Sequence, residues 1–419
     1  MYLKIFTFLL ILYPILSAYI LVGSIDVGVA LCAISGFLAF KKSRKWKKVV
    51  YPKGYVSFLL YILFAAITVT HAIPLRILLY SLLLVIGMMC CNIFLIYKYY
   101  KKIAVICIVF FIFQEIIRLS TGINIPGIIS VLPIVYGDSS SYIESNIINA
   151  DRSSSFFLEP SYFAQFLFPL VVIELFWNKS KYHFRNALLL SVIIFLIRSG
   201  NGILLLGIIW AIWLFASDVK KSTKRLIILF IAVFGIALIV FVPEILLEFL
   251  ERSNELSING VDERFQTSGF IRFFRGYYLY FSLPSINQIF GLNPELLDFY
   301  KLNNDLGLFD NDKSFINGVQ TILCLYGVLG LLFFFRHLYF EGKHSPMICK
   351  VLLICTLFLL FSESFFISSR MLVTMVIVCS INHHHRRRIN HPKQIKNNNI
   401  TNTINYENSV SNEFIPGRK

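Results

Sequence analysis

The sequence predicts an all-α, polytopic integral membrane protein of about twelve transmembrane helices with a long extracytoplasmic loop. Three observations predict it. The 419 residues are 57% hydrophobic and only 15% charged, where soluble chains carry about a quarter charged residues. Mean hydropathy is +0.71. Apolar runs near the roughly 20 residues that a spanning helix needs recur along most of the chain, leaving no stretch of ordinary domain size for a separate soluble fold.

The spans fall in order at about 3–22, 25–40, 55–72, 75–97, 103–119, 157–177, 184–197, 202–217, 226–242, 315–335, 347–361 and 365–381. The first, "MYLKIFTFLLILYPILSAY", has the features of a signal peptide, but the spans that follow favour an uncleaved helix. Asp26 reads as interfacial, and Glu115 with Arg118, three apart near the outer end of the fifth span, as a structural pair. The seventh and eighth spans are short: at 1.5 Å per residue each reaches roughly 20–24 Å, less than the ~30 Å hydrocarbon core. Their connection, "RSGNG", turns easily at Gly200, Asn201 and Gly202. Arg198 therefore sits below the outer membrane surface or snorkels through a thinned bilayer.

Basic segments at 41, 98, 178, 218, 336 and 383 fall on one side in strict alternation, which makes that side cytoplasmic and both termini internal. The formal net charge of +16 has the same origin. No basic aromatic module accompanies it, so nucleic acid is not an expected partner. The domain reading is a transmembrane helical domain over 1–381, with outer loops at about 120–156 and 243–314, and an Asn-rich, disordered cytoplasmic tail over 382–419. The eight cysteines lie in or beside apolar runs without metal or disulfide spacing and read as small core residues. The second outer loop is too long for a plain connector. Its "RFQTSGFIRFFRGYYLYFSLPSINQIFG" suggests short helices at the membrane surface.

The outward cations are nearly all arginine: Arg76, Arg118, Arg152, Arg198, Arg252, Arg264, Arg272, Arg275 and Arg370, against Lys301 and Lys313. Guanidinium binds phosphate bidentately and stays charged, so the set suggests a phosphate or pyrophosphate presented from the lipid. Pairing with loop acids such as Asp262, Glu263 and Asp310, or with lipid headgroups, is the plain alternative. Arg272 and Arg275 share a face if helical, as an amphipathic surface helix would also arrange. In "DRSSSFFLEPSYFAQFL", Pro160 suits a first helical turn and Glu159 its positive end. Glu159 is thus a helix cap, an arginine-orienting carboxylate or a base. The sequence has no GxSxG, HExxH, Walker loop or Cys/His cluster, so neither a metal nor a cofactor is expected.

Together "RSSSFFLEPSYFAQFL", "IRSGNGILLL", a long arginine-bearing outer loop and "NGVQTILCLYGVLG" resemble the Wzy-type O-antigen and capsular polysaccharide polymerases, of the O-antigen ligase/polymerase superfamily, over roughly residues 110–380. Arg275 and Gly291 match an arginine-glycine pair described in an outer loop of such polymerases. Ligases typically carry His-Asn before a Gly-x-x-Gly. Here Gly327 and Gly330 supply the glycines and Asn317 the asparagine, but Ile316 stands at the histidine, which favours polymerase over ligase. The resemblance implies a metal-independent, inverting glycosyl transfer between polyprenyl-pyrophosphate-linked oligosaccharides at the outer face of the bacterial cytoplasmic membrane. A chain-length regulator and a flippase are the implied partners. In that frame the expected catalytic residues are Arg152, Glu159 and Arg275, and the expected substrate-binding residues Arg198, Arg264, Arg272 and Asn317. Alternatives are an O-antigen ligase or a flippase, the latter disfavoured because its charges would line a cavity through the spans.

Overall fold

The computed structural model describes residues 1–22, 25–42, 53–71, 75–129, 132–134, 152–178, 180–216, 274–303 and 316–390, and within them the regular structure is helical apart from one small hairpin and an isolated bridge. Helix α1 (Tyr2–Leu16) turns through strands β1 (Ile20–Val22) and β2 (Ile25–Asp26) into α2 (Val27–Lys42). Ile20 pairs antiparallel with Asp26. Asp26 Oδ1 accepts the Val29 amide at 2.7 Å, so this carboxylate caps the start of α2.

Helix α3 (Lys53–Ala65) ends in a π turn over Ala66–Thr70, and α4 (Leu75–Cys90) and α5 (Ile93–Thr121) follow. The expected loop at "KYYKK" is instead part of α5. Asn92 Oδ1 accepts the Phe94 amide at 3.1 Å and starts the helix ahead of it. Lysines in the opening turns need no loop, because their stems lie along the helix while the ammonium reaches out. Lys101 Nζ, for example, stands 5.9 Å from the centroid of the Tyr97 ring.

Next come α6 (Pro160–Phe176), α7 (His183–Leu196) and α8 (Gly200–Ala216). Three short helices, α9 (Gly276–Ser282), α10 (Ser285–Phe290) and α11 (Pro294–Leu302), lie in the expected second outer loop. The chain continues with α12 (Gly318–Lys343), α13 (Met347–Ser362) and α14 (Ser369–Asn390). Helix α14 runs past 381 into the segment read as a tail. Residues 391–419 and the expected ninth span at 226–242 lie outside the described residues.

The all-α class fits, while the count of twelve spans is coarser in the structure. Among the described residues α5 and α12 are long and apolar enough to cross a membrane, and the other apolar helices have 10–17 residues. Helix α5 is apolar all round between Ile103 and Phe113. Ile96, Cys107 and Phe111 are buried, whereas Val105, Ile106, Val109, Ile112 and Ile116 are exposed along the opposite face. A bare apolar stripe of this kind suits contact with lipid.

Helix α6 is central: every residue from Phe163 to Leu175 is buried, and the helix packs on α7, α8 and α13. Gly202 lets α8 come close, since a Cβ there would stand 2.8 Å from that of Ala164. At the far end of α6, Glu174 accepts from Tyr97 Oη at 2.5 Å, Asn178 Nδ2 at 2.7 Å and Asn186 Nδ2 at 3.4 Å. These bonds bring the basic segments at 98 and 178 to one end of the bundle.

Helix α12 kinks at Gly327 (φ 65°, ψ −175°), and the α10 segment presses into the kink. Leu292 N donates to Cys324 O at 2.9 Å. A Cβ at Gly291 (φ 93°) would stand 2.2 Å from Leu325 O, and one at Gly327 2.1 Å from Ile289 O. Only glycine allows this backbone-to-backbone approach. Tyr61 Oη donates to Tyr326 O at 2.7 Å, satisfying a carbonyl at the kink.

Candidate functional site

The stretch Arg152–Leu158 enters α6 across the end of α5, and α5 side chains hold it there. Gln114 Oε1 accepts the Ser155 amide at 2.8 Å, while its Nε2 donates to Ile125 O at 2.6 Å. Ser155, at φ 56°, donates its hydroxyl to Cys107 O at 2.8 Å. Ser153 donates through Oγ to Asn124 Oδ1 at 2.7 Å, and Ser154 through Oγ to Phe157 O at 2.7 Å. The Ser153 and Ser155 amides, outside any helix or sheet, are thus met by the α5 side chains of Glu115 and Gln114. Gly127 is backed onto the same turn, where a Cβ would stand 2.0 Å from Ser155 O.

The charges at this end form one connected set. Arg152 Nη1 donates to Arg198 O at 3.0 Å. Arg198, itself at φ 54°, brings Nη2 to 3.6 Å from Glu115 Oε2. Glu115 also accepts from Arg118 Nη2 at 2.7 Å and from the Ser153 amide at 3.2 Å. The expected Glu115–Arg118 pair is present, and Glu115 is in addition the group that ties Arg198 to the Arg152 turn.

Glu159 occupies the N-cap of α6 with extended backbone (φ −137°, ψ 149°) and Pro160 opens the helix, yet the carboxylate makes no capping bond. It accepts from Ser161 Oγ at 3.1 Å. Of the three readings of Glu159, the helix cap holds by position: the carboxylate stands at the positive end of α6 without a hydrogen bond to its amides.

The connection from α7 to α8 leads to the next element. Asn201 Nδ2 donates to Glu363 Oε1, and Glu363 is buried after the end of α13. The Glu363 carbonyl accepts the Gly318 amide at 2.8 Å, locking the start of α12 against it. Asn317 sits in that lock as a helix cap: its Oδ1 accepts the Gln320 amide at 2.9 Å, and Gln320 Oε1 accepts the Asn317 amide at 3.0 Å. Gly276 packs on Gln320, its would-be Cβ only 2.5 Å from Oε1. Arg275 precedes it and is 2% exposed, the largest fully buried side chain among the described residues. A buried guanidinium is uncommon and needs compensation by polar or anionic groups.

Arg152, Arg198, Asn317 and Arg275 therefore belong to neighbouring elements at one end of the bundle. Arg264 and Arg272 lie outside the described residues. Tyr280, one of the loop aromatics, is buried and donates to Gln288 O at 2.8 Å, which makes it an anchor of α9 on α10.

Sequence reasoning placed none of Gln114, Asn201, Glu363, Tyr162 and Arg370 among the site residues. Their signals were weak: an acid in "SESFF", an amide beside Glu115, one arginine among many. Arg370 Cζ stands 3.5 Å from the Tyr162 ring centroid, joining the first turn of α14 to that of α6. Ile367, just ahead of α14, adopts φ 56°, a conformation β-branched residues avoid. Ser155, Arg198 and Ile367 thus put positive φ at three turns around one end of the bundle.

Residues 102–258 match a family model described as WcaD colanic acid polymerase. The match supports the resemblance to the Wzy-type polymerases, and it includes Arg152, Glu159 and Arg198. No curated protein matches the chain. The family implies a glycosyltransferase-type enzyme of polysaccharide polymerisation. With the apolar helices, it points to an integral membrane protein.

Proposed function

We propose that the protein polymerises polyprenyl-pyrophosphate-linked oligosaccharide repeat units into O-antigen or capsular polysaccharide, at the outer face of the bacterial cytoplasmic membrane, with both termini in the cytoplasm. The single observation that carries this reading is the polymerase family match across the turn that binds Arg152 to Arg198 and Glu115. A hydroxyl oxygen on one lipid-linked glycan attacks the anomeric carbon of another. The new C–O bond forms with inversion as the bond to pyrophosphate breaks, and the pyrophosphate leaves with the electron pair. Fixed guanidiniums stabilise the charge that grows on the leaving group. Arg152 and Arg275 take that role, supported by Arg198, Arg264 and Arg272. Glu159, at the start of α6, accepts the hydroxyl proton or orients an arginine. Asn317 contributes by holding the start of α12.

The chemistry is metal-independent in this reading, so excess EDTA should leave chain extension at full rate in a membrane assay. The partners are the donor and acceptor glycolipids, with a flippase and a chain-length regulator acting before and alongside. The deciding experiment is the surface glycan ladder of a deletion strain. Single repeat units capped on the surface acceptor are expected, whereas loss of even single units would assign a flippase.

A further inference from the structure

The guanidinium of Arg370 is held by an unusual set of contacts. Its Nη1 is buried and has no hydrogen-bond partner. Among the described residues no carboxylate pairs with it, and the contact that fixes its plane is the Tyr162 ring at 3.5 Å. Tyr162 is itself wedged between the main core and the small cluster of Ala18, Tyr19, Ile128, Ile134 and Leu158, so the ring is a fixed platform. It lies one helical turn after Glu159 on the same face of α6. The stretch carrying Arg370 is also fixed: Ser368 Oγ accepts the Met371 amide at 3.1 Å, and Ser369 Oγ meets Ser17 Oγ at 2.9 Å.

Stacking compensates one face of a guanidinium but satisfies none of its N–H donors. An unmet buried donor on a charged group is costly, and in a native protein it calls for an explanation such as a missing ligand. Arg152, Glu159 and Arg275 are already assigned to this end of the bundle, and Arg370 as a residue is half-buried, with Nη1 the guanidinium nitrogen that is buried without a partner. We infer that Arg370, stacked on Tyr162, is a further pyrophosphate-binding residue that contacts the polyprenyl pyrophosphate of one substrate beside Glu159. This rests on the polymerase reading above. The bound oxygens supply the acceptors that the described residues do not, and the ring keeps the guanidinium plane fixed for a bidentate contact.

The test is binding of undecaprenyl pyrophosphate to the purified full-length protein in phospholipid-free detergent, with phosphatidylglycerol as the competing source of phosphate. Arg370→Ala should weaken undecaprenyl pyrophosphate binding about tenfold or more, and Arg370→Lys should recover part of the loss. Tyr162→Leu should weaken binding in the same direction, while Tyr162→Phe, which keeps the ring, should not. Thermal unfolding of each variant separates lost binding from lost folding. Equal binding by the wild type and a folded Arg370→Ala protein would overturn this inference alone. An equal loss for phosphatidylglycerol would also overturn it, making Arg370 a headgroup anchor. A folded wild type that binds no undecaprenyl pyrophosphate would instead overturn the pyrophosphate reading on which it rests.

Discussion

Gln114 offers the sharpest test of how the Arg152 turn is built. Its two side-chain ends accept the Ser155 amide and donate to Ile125 O, at 2.8 and 2.6 Å, and the residue is 1% exposed. Gln114→Leu keeps the volume and removes both bonds, together with the longer one from Nε2 to Ser155 O at 3.4 Å. It leaves the buried Ser155 amide and the half-buried Ile125 carbonyl without those partners, at about 1–3 kcal/mol each. Partial relaxation brings the sum to about 2–4 kcal/mol, and because Ser155 sits at φ 56° no regular structure takes up the freed groups. Local opening of residues 152–158 should then become roughly 30- to 900-fold more populated, read directly as faster amide hydrogen exchange of Ser155 in detergent. Chain extension should fall with it, since Arg152 leaves its place beside Arg198. Unchanged exchange at Ser155 together with a normal glycan ladder would refute the idea that α5 holds the turn in its working shape.

Other outcomes follow from the same geometry. Arg152→Ala and Arg275→Ala should leave protein in the membrane at normal levels but stop chain growth, as seen in the glycan ladder; normal polymer length in both would remove the proposed pyrophosphate role. Gly291→Ala forces a Cβ to 2.2 Å from Leu325 O at a φ of 93°, and should cost about 2–4 kcal/mol, visible as a lowered melting temperature. Glu174→Leu should destabilise the opposite end of the bundle by about 1–3 kcal/mol, because Tyr97 Oη loses this acceptor while Asn178 Nδ2 keeps only its 3.0 Å bond to Tyr97 Oη of the two, whereas Glu174→Gln should cost less. Glu363→Ala should release Asn201 at the start of α8 and slow chain extension, with Glu363→Gln milder because an acceptor for Asn201 remains.

Much of the helical layout was legible because apolar composition and hydrophobic run length act locally. Pro160 opens α6 as its place after Glu159 implies, and the Glu115–Arg118 pair follows from a spacing of three. The "KYYKK" loop misled because lysine is counted against a span, although its long stem lets it stay helical near a membrane edge. The arginine and glycine pattern carried a resemblance without a reason. The reason is steric: Gly291 and Gly327 let α10 meet the α12 backbone at its kink.

By itself the sequence determined that this chain is apolar, helical and rich in arginine, since these are properties of composition and periodicity. Which of those arginines meet was decided by tertiary structure alone. Arg152 reaches Arg198 O across a separation of 46 residues, Asn201 reaches Glu363 across 162, and Arg370 finds Tyr162 across the first turns of two distant helices. Such contacts depend on which helix ends the packing of α6 against its neighbours brings together, and no local spacing encodes that choice.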